Sequence, residues 1–177
     1  MKSTPSCQRG LTLIEAGAVL AIAAIVAGQA APSLRSLVDH RRLDGAAAAL
    51  AADLQAARLE AIARNRPVRL AVDAAQSCWI LHTGAAGDCA CRASGPAHCA
   101  APGAQVLRSQ ALDAGTGLRL AANVASIAFD PVLGTSTPTG TLRVAHQRGG
   151  EIRHTVNVLG RTRSCVAGAA IAGWRAC

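Results

Sequence analysis

The chain has 177 residues and a mass of 17.9 kDa, which favours one compact domain with appendages over two full domains. Apolar residues make up 51% of it but aromatic residues only 2%, so the core must be aliphatic and no aromatic platform for single-stranded nucleic acid is expected. Its 18 basic and 10 acidic residues give a net charge of +8, which excludes an acidic disordered chain.

The apolar residues are densest near the N-terminus. Residues 1–10 are polar, with Lys2 and Arg9 as their charges, and residues 11–34 are mostly apolar. A bilayer core needs roughly 20 helical residues, so residues 11–34 are predicted to span a membrane, with the positive flank in the cytoplasm. Glu15 lies inside this stretch. A carboxylate in lipid is costly and normally has a partner, which makes Glu15 a candidate functional residue.

The run Arg9-Gly10-Leu11-Thr12-Leu13-Ile14-Glu15 resembles the prepilin cleavage and methylation motif of type IV pilins and type II secretion pseudopilins. The resemblance implies that residues 1–10 are a leader, cut after Gly10 by a prepilin peptidase. Leu11 would then be the methylated N-terminus, where the family usually has Phe. It also implies that Glu15 neutralises the N-terminal amine of a neighbouring subunit, since two charges that are costly in lipid stabilise each other once subunits dock.

Residues 35–66 are predicted to continue the helix as an amphipathic half. Small and aliphatic residues recur there at helical spacing, namely Leu43, Ala47, Leu50, Leu54, Ala57 and Ala61. Pro67 ends this pattern, and Pro32 is expected to kink or locally melt the helix.

From residue 67 onward, short alternating runs separated by turn residues predict strands. These runs are residues 68–72, 78–82, 106–112, 117–122, 124–129, 141–146 and 151–159, with Gly149-Gly150 in the turn that joins the last two. The predicted fold class is therefore α+β. A long N-terminal helix, half membrane-spanning and half amphipathic, packs on a β-rich head of residues 67–177.

The alanine-rich helix that ends at Arg64-Asn65-Arg66-Pro67-Val68, with Ala31-Pro32-Ser33-Leu34 upstream, resembles the GspH/FimT family of minor pilins and pseudopilins. The resemblance covers most of the chain and is weakest in the cysteine-rich insert. It implies a β-sheet head that cradles the helix and assembly with other pilins or pseudopilins. It also implies an inner-membrane location with the head in the periplasm, and then a place in the pilus or pseudopilus.

Six of the seven cysteines follow the leader, an even number that indicates disulfides in an oxidising compartment. Pairing of cysteines that are close in the chain predicts one bridge, between Cys165 and Cys177. The other four cysteines can then pair in three ways, which stay open. A zinc site with His98 is the alternative, but Cys-x-Cys fits structural zinc spacing poorly, so no metal is expected. The six disulfide candidates are Cys78, Cys89, Cys91, Cys99, Cys165 and Cys177.

The sequence contains no nucleophile motif, phosphate loop or paired acidic site, so neither an enzyme nor a cofactor is expected. Its C-terminal part is basic instead. From Pro131 to Cys177 six arginines stand against a single acid, Glu151. Arg161 and Arg163 follow Gly160, and in extended chain they point the same way. Two guanidinium groups on one side suit successive phosphates.

The run Gly160-Arg161-Thr162-Arg163 resembles the Gly-Arg-x-Arg motif of DNA-binding FimT-type minor pilins, where it contributes to DNA capture for natural transformation. The resemblance implies DNA contact by Arg161 and Arg163, and charge alone adds Arg143, Arg148 and Arg153. The first hypothesis is a minor type IV pilin that binds extracellular double-stranded DNA without sequence preference. The alternative is a structural pseudopilin of type II secretion, whose arginines form a solvated face or contact neighbouring pilins.

Overall fold

A computed structural model describes residues 12–168 and 170–177, apart from the side chains of residues 29–33. The predictions for residues 1–10, including Gly10, and for Leu11 therefore lie outside the described residues. The backbone at Pro32 is helical, so the local melting that was one of its two expected effects is not found. The chain divides into two compact units, Met1–Val38 and Asp39–Cys177.

One long helix, α1 (Leu13–Arg64), runs through most of the N-terminal third of the chain. It begins after Thr12, whose hydroxyl oxygen accepts a hydrogen bond from the N–H of Glu15 at 3.3 Å, as an N-cap residue does. It ends before Asn65, which adopts a left-handed conformation (φ 48°), and Pro67 then excludes further helix. No helix among the described residues is both long and apolar enough to cross a membrane, and the predicted span of residues 11–34 stays a prediction.

Strands and the turns and loops between them form the rest of the second unit, where a short 3-10 helix (Ala114–Thr116) also lies. Their bounds are β1 (Val68–Asp73), β2 (Cys78–His82), β3 (Cys89–Ala90), β4 (His98–Cys99), β5 (Val106–Ala111), β6 (Leu118–Ala122), β7 (Ser126–Phe129), β8 (Ser136–Thr137), β9 (Gly140–His146), β10 (Glu151–Val156) and β11 (Thr162–Ala167). All strand pairings are antiparallel. One sheet has the order β5-β2-β1-β7-β8, a second has the order β11-β10-β9-β6, and β3 and β4 pair with each other.

The core of the second unit is aliphatic. The stripe predicted on the amphipathic half of the helix is fully buried, from Leu43 to Ala61. It belongs to the same cluster as the inward side chains of both larger sheets, including Trp79 and Phe129. The predicted α+β fold, with a helix packed on a β-rich head, is therefore confirmed.

The predicted strands near the C-terminus were partly wrong. The last one was expected to run to Leu159, but β10 ends at Val156 and the chain then turns back into β11. Gly160 makes this reversal possible because it adopts a positive φ of 68°. β11 was missed because only Val166 is fully buried in it, which leaves little apolar alternation to read. The two-residue strands β3, β4 and β8 were missed as well.

Candidate nucleic-acid interface

Four arginines lie on the outward face of the four-stranded sheet, one on each strand. In β6, β9 and β10 every second residue points into the core and is buried, as Leu120, Val144 and Ile152 are, and in β11 Val166 is the buried residue on that side. Side chains alternate between the two faces of a strand, so the arginines between the buried residues point outward. They are Arg119 on β6, Arg143 on β9, Arg153 on β10 and Arg163 on β11.

The strand register arranges these side chains as an oblique row. Arg143 and Arg153 are directly opposite each other on β9 and β10. Arg163 is opposite Thr155, which lies two residues from Arg153 toward the β10–β11 turn. Arg119 is opposite Ala145, which lies two residues from Arg143 in the other direction. Three strand spacings separate β6 from β11, a width of roughly 14 Å. That width is comparable to the major groove of B-DNA, about 12 Å.

Arg161 extends the row beyond the end of β11. Its carbonyl oxygen accepts a hydrogen bond from Asn157 N–H at 3.1 Å, which continues the β10–β11 ladder by one pair. Its own N–H donates to Asn157 Oδ1 at 3.0 Å. The alternation of the ladder therefore puts Arg161 and Arg163 on one side of the sheet. Together with the four strand arginines, Arg161 forms what is called the arginine face below.

A tight contact with the helix fixes the turn before Arg161. A Cβ atom on Gly160 would lie 2.2 Å from the carbonyl oxygen of Gly134, so only glycine fits there. The same carbonyl accepts a hydrogen bond from Arg58 Nε of α1 at 3.0 Å. The turn thus rests on a loop that is itself bonded to the helix, and Arg161 leaves it from a defined position.

The arginine face carries little compensating negative charge. Its one acid, Glu151, is an ion-pair partner of Arg153. In the part of the chain that the structure describes, the other four arginines of the face form no ion pair. Like charges directly opposite each other, as Arg143 and Arg153 are, destabilise a sheet. A bound polyanion would relieve this repulsion.

Arg148 lies apart from the arginine face. It is in the β9–β10 turn, and its guanidinium group forms an ion pair with Asp39 at 2.6 Å. Of the five arginines proposed from the sequence, four lie on the face, and Arg148 is engaged elsewhere.

Sequence reasoning missed Arg119. The basic C-terminal part of the sequence begins at Pro131, whereas Arg119 lies on an earlier strand that joins the same sheet through β9. A usable signal was present. Arg119 lies between two leucines, Leu118 and Leu120, and this apolar–charged–apolar alternation already predicts that Arg119 points outward from the strand.

Beneath the arginine face lies a histidine that carries no charge at neutral pH. His154 is fully buried, and its Nδ1 is 2.7 Å from Ser164 Oγ on β11. Burial lowers the pKa of His154 to about 4, because desolvation disfavours the charged imidazolium form. The positive charge of this sheet therefore comes from its arginines.

All six candidate cysteines form disulfides. Cys165 is bonded to Cys177, as local pairing predicts. For the remaining four, the structure selects one of the three open pairings, Cys78–Cys91 and Cys89–Cys99. The Cys165–Cys177 bridge also holds the C-terminal segment along the outer edge of β11, where Cys177 N–H donates to Val166 O at 3.0 Å.

The predicted assembly residue Glu15 lies in the first turn of α1 and is exposed. With Thr12 it matches the pattern Thr-x-x-Glu of a helix capping box, so it also has a local role at the helix start. The cleavage and methylation residues Gly10 and Leu11 lie before the first described residue.

A long N-terminal helix whose second half packs on antiparallel sheets is the architecture of pilin-type subunits. The chain belongs to the GspH family, since the model of that family, described as type II transport protein GspH, matches residues 46–160. It is therefore a minor pilin or pseudopilin, a structural subunit rather than an enzyme, of a type IV pilus or a type II secretion system. Assembly with other pilins follows from this membership.

Solved structures of such subunits share the fold. The type IV minor pilin FimU of Pseudomonas aeruginosa PAO1 is 21% identical in one crystal form, with a TM-score of 0.52, covering 70% of this chain and 87% of FimU. The minor pseudopilin EpsH of the Vibrio cholerae type 2 secretion system is 16% identical, with a TM-score of 0.54, covering 72% of this chain and 99% of EpsH. No curated protein matches the chain.

Proposed function

We propose that this chain is a minor type IV pilin that binds double-stranded DNA without sequence preference through its arginine face. The observation that carries the proposal is the oblique row of Arg119, Arg143, Arg153, Arg163 and Arg161 on one sheet face with a single acid beside it. In the wider proposal, extracellular DNA held in this way is taken up in natural transformation.

The chemistry of the arginine face fits phosphates better than bases. Guanidinium groups bind phosphate oxygens in two-pronged hydrogen bonds, and such contacts position a protein on DNA without reading its sequence. The three aromatic side chains Trp79, Phe129 and Trp174 are not on this face: the first two are in the core, and Trp174 contacts His154 beneath the sheet. Binding is therefore expected to depend on counterion release and to weaken steeply with salt.

The proposed assembly steps involve residues at the start of the chain. A prepilin peptidase removes residues 1–10 after Gly10, Leu11 is methylated, and the apolar stretch holds the subunit in the inner membrane with the head in the periplasm. Glu15 then neutralises the amine of a neighbouring subunit as the helices pack into the filament. The motif around Gly10 and the exposed position of Glu15 support these steps.

A second candidate function is that of a structural pseudopilin in type II secretion, without DNA binding. The description of the matching family and the likeness to EpsH favour it. In that case, the arginine face contacts neighbouring subunits.

Duplex binding by the full chain in detergent micelles tests the proposal. The variant Arg161→Gln/Arg163→Gln loses two cations of the face. The matched variant Arg41→Gln/Arg92→Gln loses two exposed arginines elsewhere. At 0.15 M salt, loss of two phosphate contacts lowers affinity about 30-fold by counterion release alone. We expect that loss for the first variant only, with any duplex sequence.

Equal losses in the two variants would mean that total charge, and not the arginine face, holds the DNA. A parent chain that shifts no duplex at low salt would favour the structural pseudopilin.

A further inference from the structure

Six large aliphatic side chains of the second unit are exposed together beside the β10–β11 turn. They are called the apolar end patch here: Leu59, Ile62, Val132, Leu133, Val158 and Leu159. Only one other large hydrophobic residue in the described part of Asp39–Cys177, Val106, is exposed to a comparable degree. Single exposed aliphatic residues need no explanation, but a cluster of this kind marks an interaction site.

Three segments meet to form the patch. Arg58 of α1 donates to Gly134 O of the β7–β8 loop, and a Cβ on Gly134 would lie 3.3 Å from Ile62 Cδ1. Val158 O of the β10–β11 turn accepts a hydrogen bond from Ser136 N–H at 2.9 Å. The end of the helix, the loop and the turn are thus bonded to one another, and their aliphatic residues share one surface.

The local structure turns these side chains outward. Asp130 Oδ1 accepts hydrogen bonds from the N–H groups of Val132 and Leu133 at 2.9 and 2.8 Å, so the loop backbone is held toward Asp130. The two side chains are left 77% and 73% exposed. On the helix, Leu59 and Ile62 are three residues apart and share one side, which is exposed, whereas Ala57 and Ala61 belong to the buried core stripe. The patch is therefore a rigid apolar surface that the core does not use.

The charges around the patch indicate what covers it. Its two acids are already engaged, because Asp130 holds the loop amides and Glu60 forms an ion pair with Arg64 at 2.6 Å. Arg58 and Arg161 form no ion pair within the described ranges. With Arg64 they outnumber Asp130 and Glu60 by three to two, so the net charge at the rim is positive. Two copies of this chain joined patch to patch would bring like charges together, which disfavours that pairing.

We propose that the apolar end patch is the docking surface for a different pilin-class subunit of the same filament, whose matching surface is apolar with acidic residues at its rim. The inference rests on membership of the GspH family, whose subunits assemble with other pilins. It does not require DNA binding. The patch and the arginine face lie on either side of Gly160, with Val158 and Leu159 before it and Arg161 after it.

Cells that assemble the filament from the full chain allow the test. Val132→Glu puts a charge into the patch at a side chain that makes no core contact, and Val106→Glu is the matched control on β5, where the side chain is 39% exposed. We expect Val132→Glu to reduce the chain in sheared filaments at least tenfold and Val106→Glu to leave it unchanged. We expect Val106→Glu to keep duplex DNA affinity within twofold.

A photo-crosslinking residue in place of Leu133 identifies the occupant. We expect one adduct whose partner, sequenced by mass spectrometry, carries a pilin N-terminal helix, and none from a crosslinker in place of Val106. An adduct with a second copy of this chain, with lipid or with DNA would overturn the docking proposal, and so would normal filament incorporation of Val132→Glu. Loss of DNA binding in Arg161→Gln/Arg163→Gln with normal incorporation leaves the patch supported, so the two proposals fail separately.

Discussion

Replacing Gly160 by alanine is expected to destabilise the head strongly, because the added methyl group carries three costs: a strained backbone, a steric clash and a lost hydrogen bond. The residue adopts a left-handed φ of 68°, and its Cβ would lie 2.2 Å from the carbonyl oxygen of Gly134. That oxygen belongs to the backbone and also accepts the hydrogen bond from Arg58 Nε. Relief of the clash must therefore move the loop away from the helix.

The magnitude follows from these contacts. A left-handed conformation costs a residue with a Cβ about 1–2 kcal/mol. Forcing atoms into a packed site adds about 1–3 kcal/mol. Loss of a hydrogen bond to a charged donor adds about 1.5 kcal/mol. The sum is about 5 kcal/mol, a large part of the roughly 5–15 kcal/mol that typically stabilises a domain.

Urea unfolding of the full chain in detergent micelles, followed by tryptophan fluorescence, measures this cost. Gly87→Ala is the matched control, since Gly87 has a φ of 88° but nothing within 4 Å of the added Cβ. We expect the control to lose about 1–2 kcal/mol. If Gly160→Ala lost no more than Gly87→Ala, the contact with Gly134 would contribute nothing and the reasoning about the anchored turn would be wrong.

Three further predictions concern the buried polar groups and the arginine face. His154 is neutral in the fold because its pKa is lowered to about 4, so stability is complete above pH 6.5 and falls as the pH drops toward 4. We expect His154→Leu to remove about 2–3 kcal/mol of the decline between pH 7 and 4.5 in urea titrations, and an unchanged decline would contradict this. Asp53 is buried and accepts hydrogen bonds from Trp79 Nε1 and Arg108 Nη1 at 2.7 and 2.8 Å. Asp53→Ala should cost about 2–3 kcal/mol, because the indole N–H is left buried without an acceptor, whereas a loss below about 1 kcal/mol would show that water replaces the carboxylate. Finally, the four unpaired arginines of the face predict that the logarithm of the association constant for duplex DNA falls with the logarithm of the salt concentration with a slope of about −3.6. Arg161→Gln/Arg163→Gln should make this slope shallower by about 1.8. Equal slopes for the parent chain and the variant would show that these two arginines are not in the interface.

Much of the fold follows from patterns of near neighbours in the chain. The buried stripe from Leu43 to Ala61 repeats at helical spacing, and its burial is decided by one side of one helix. Most of the longer strands alternate between buried and exposed residues, so their positions could be predicted from the sequence. The bridge between Cys165 and Cys177 also follows from local pairing, since it closes a short segment.

The arginine face and the apolar end patch required the tertiary structure. Arg119 joins Arg143 only because β6 pairs with β9, and no local pattern specifies which strands become neighbours. The cysteine pairing in the insert, the anchoring of Gly160 on Gly134 and the bond between the end of α1 and the β7–β8 loop have the same origin. Periodicity along the chain determines which side of each element is buried, whereas contacts between distant segments depend on how the elements pack around one shared core.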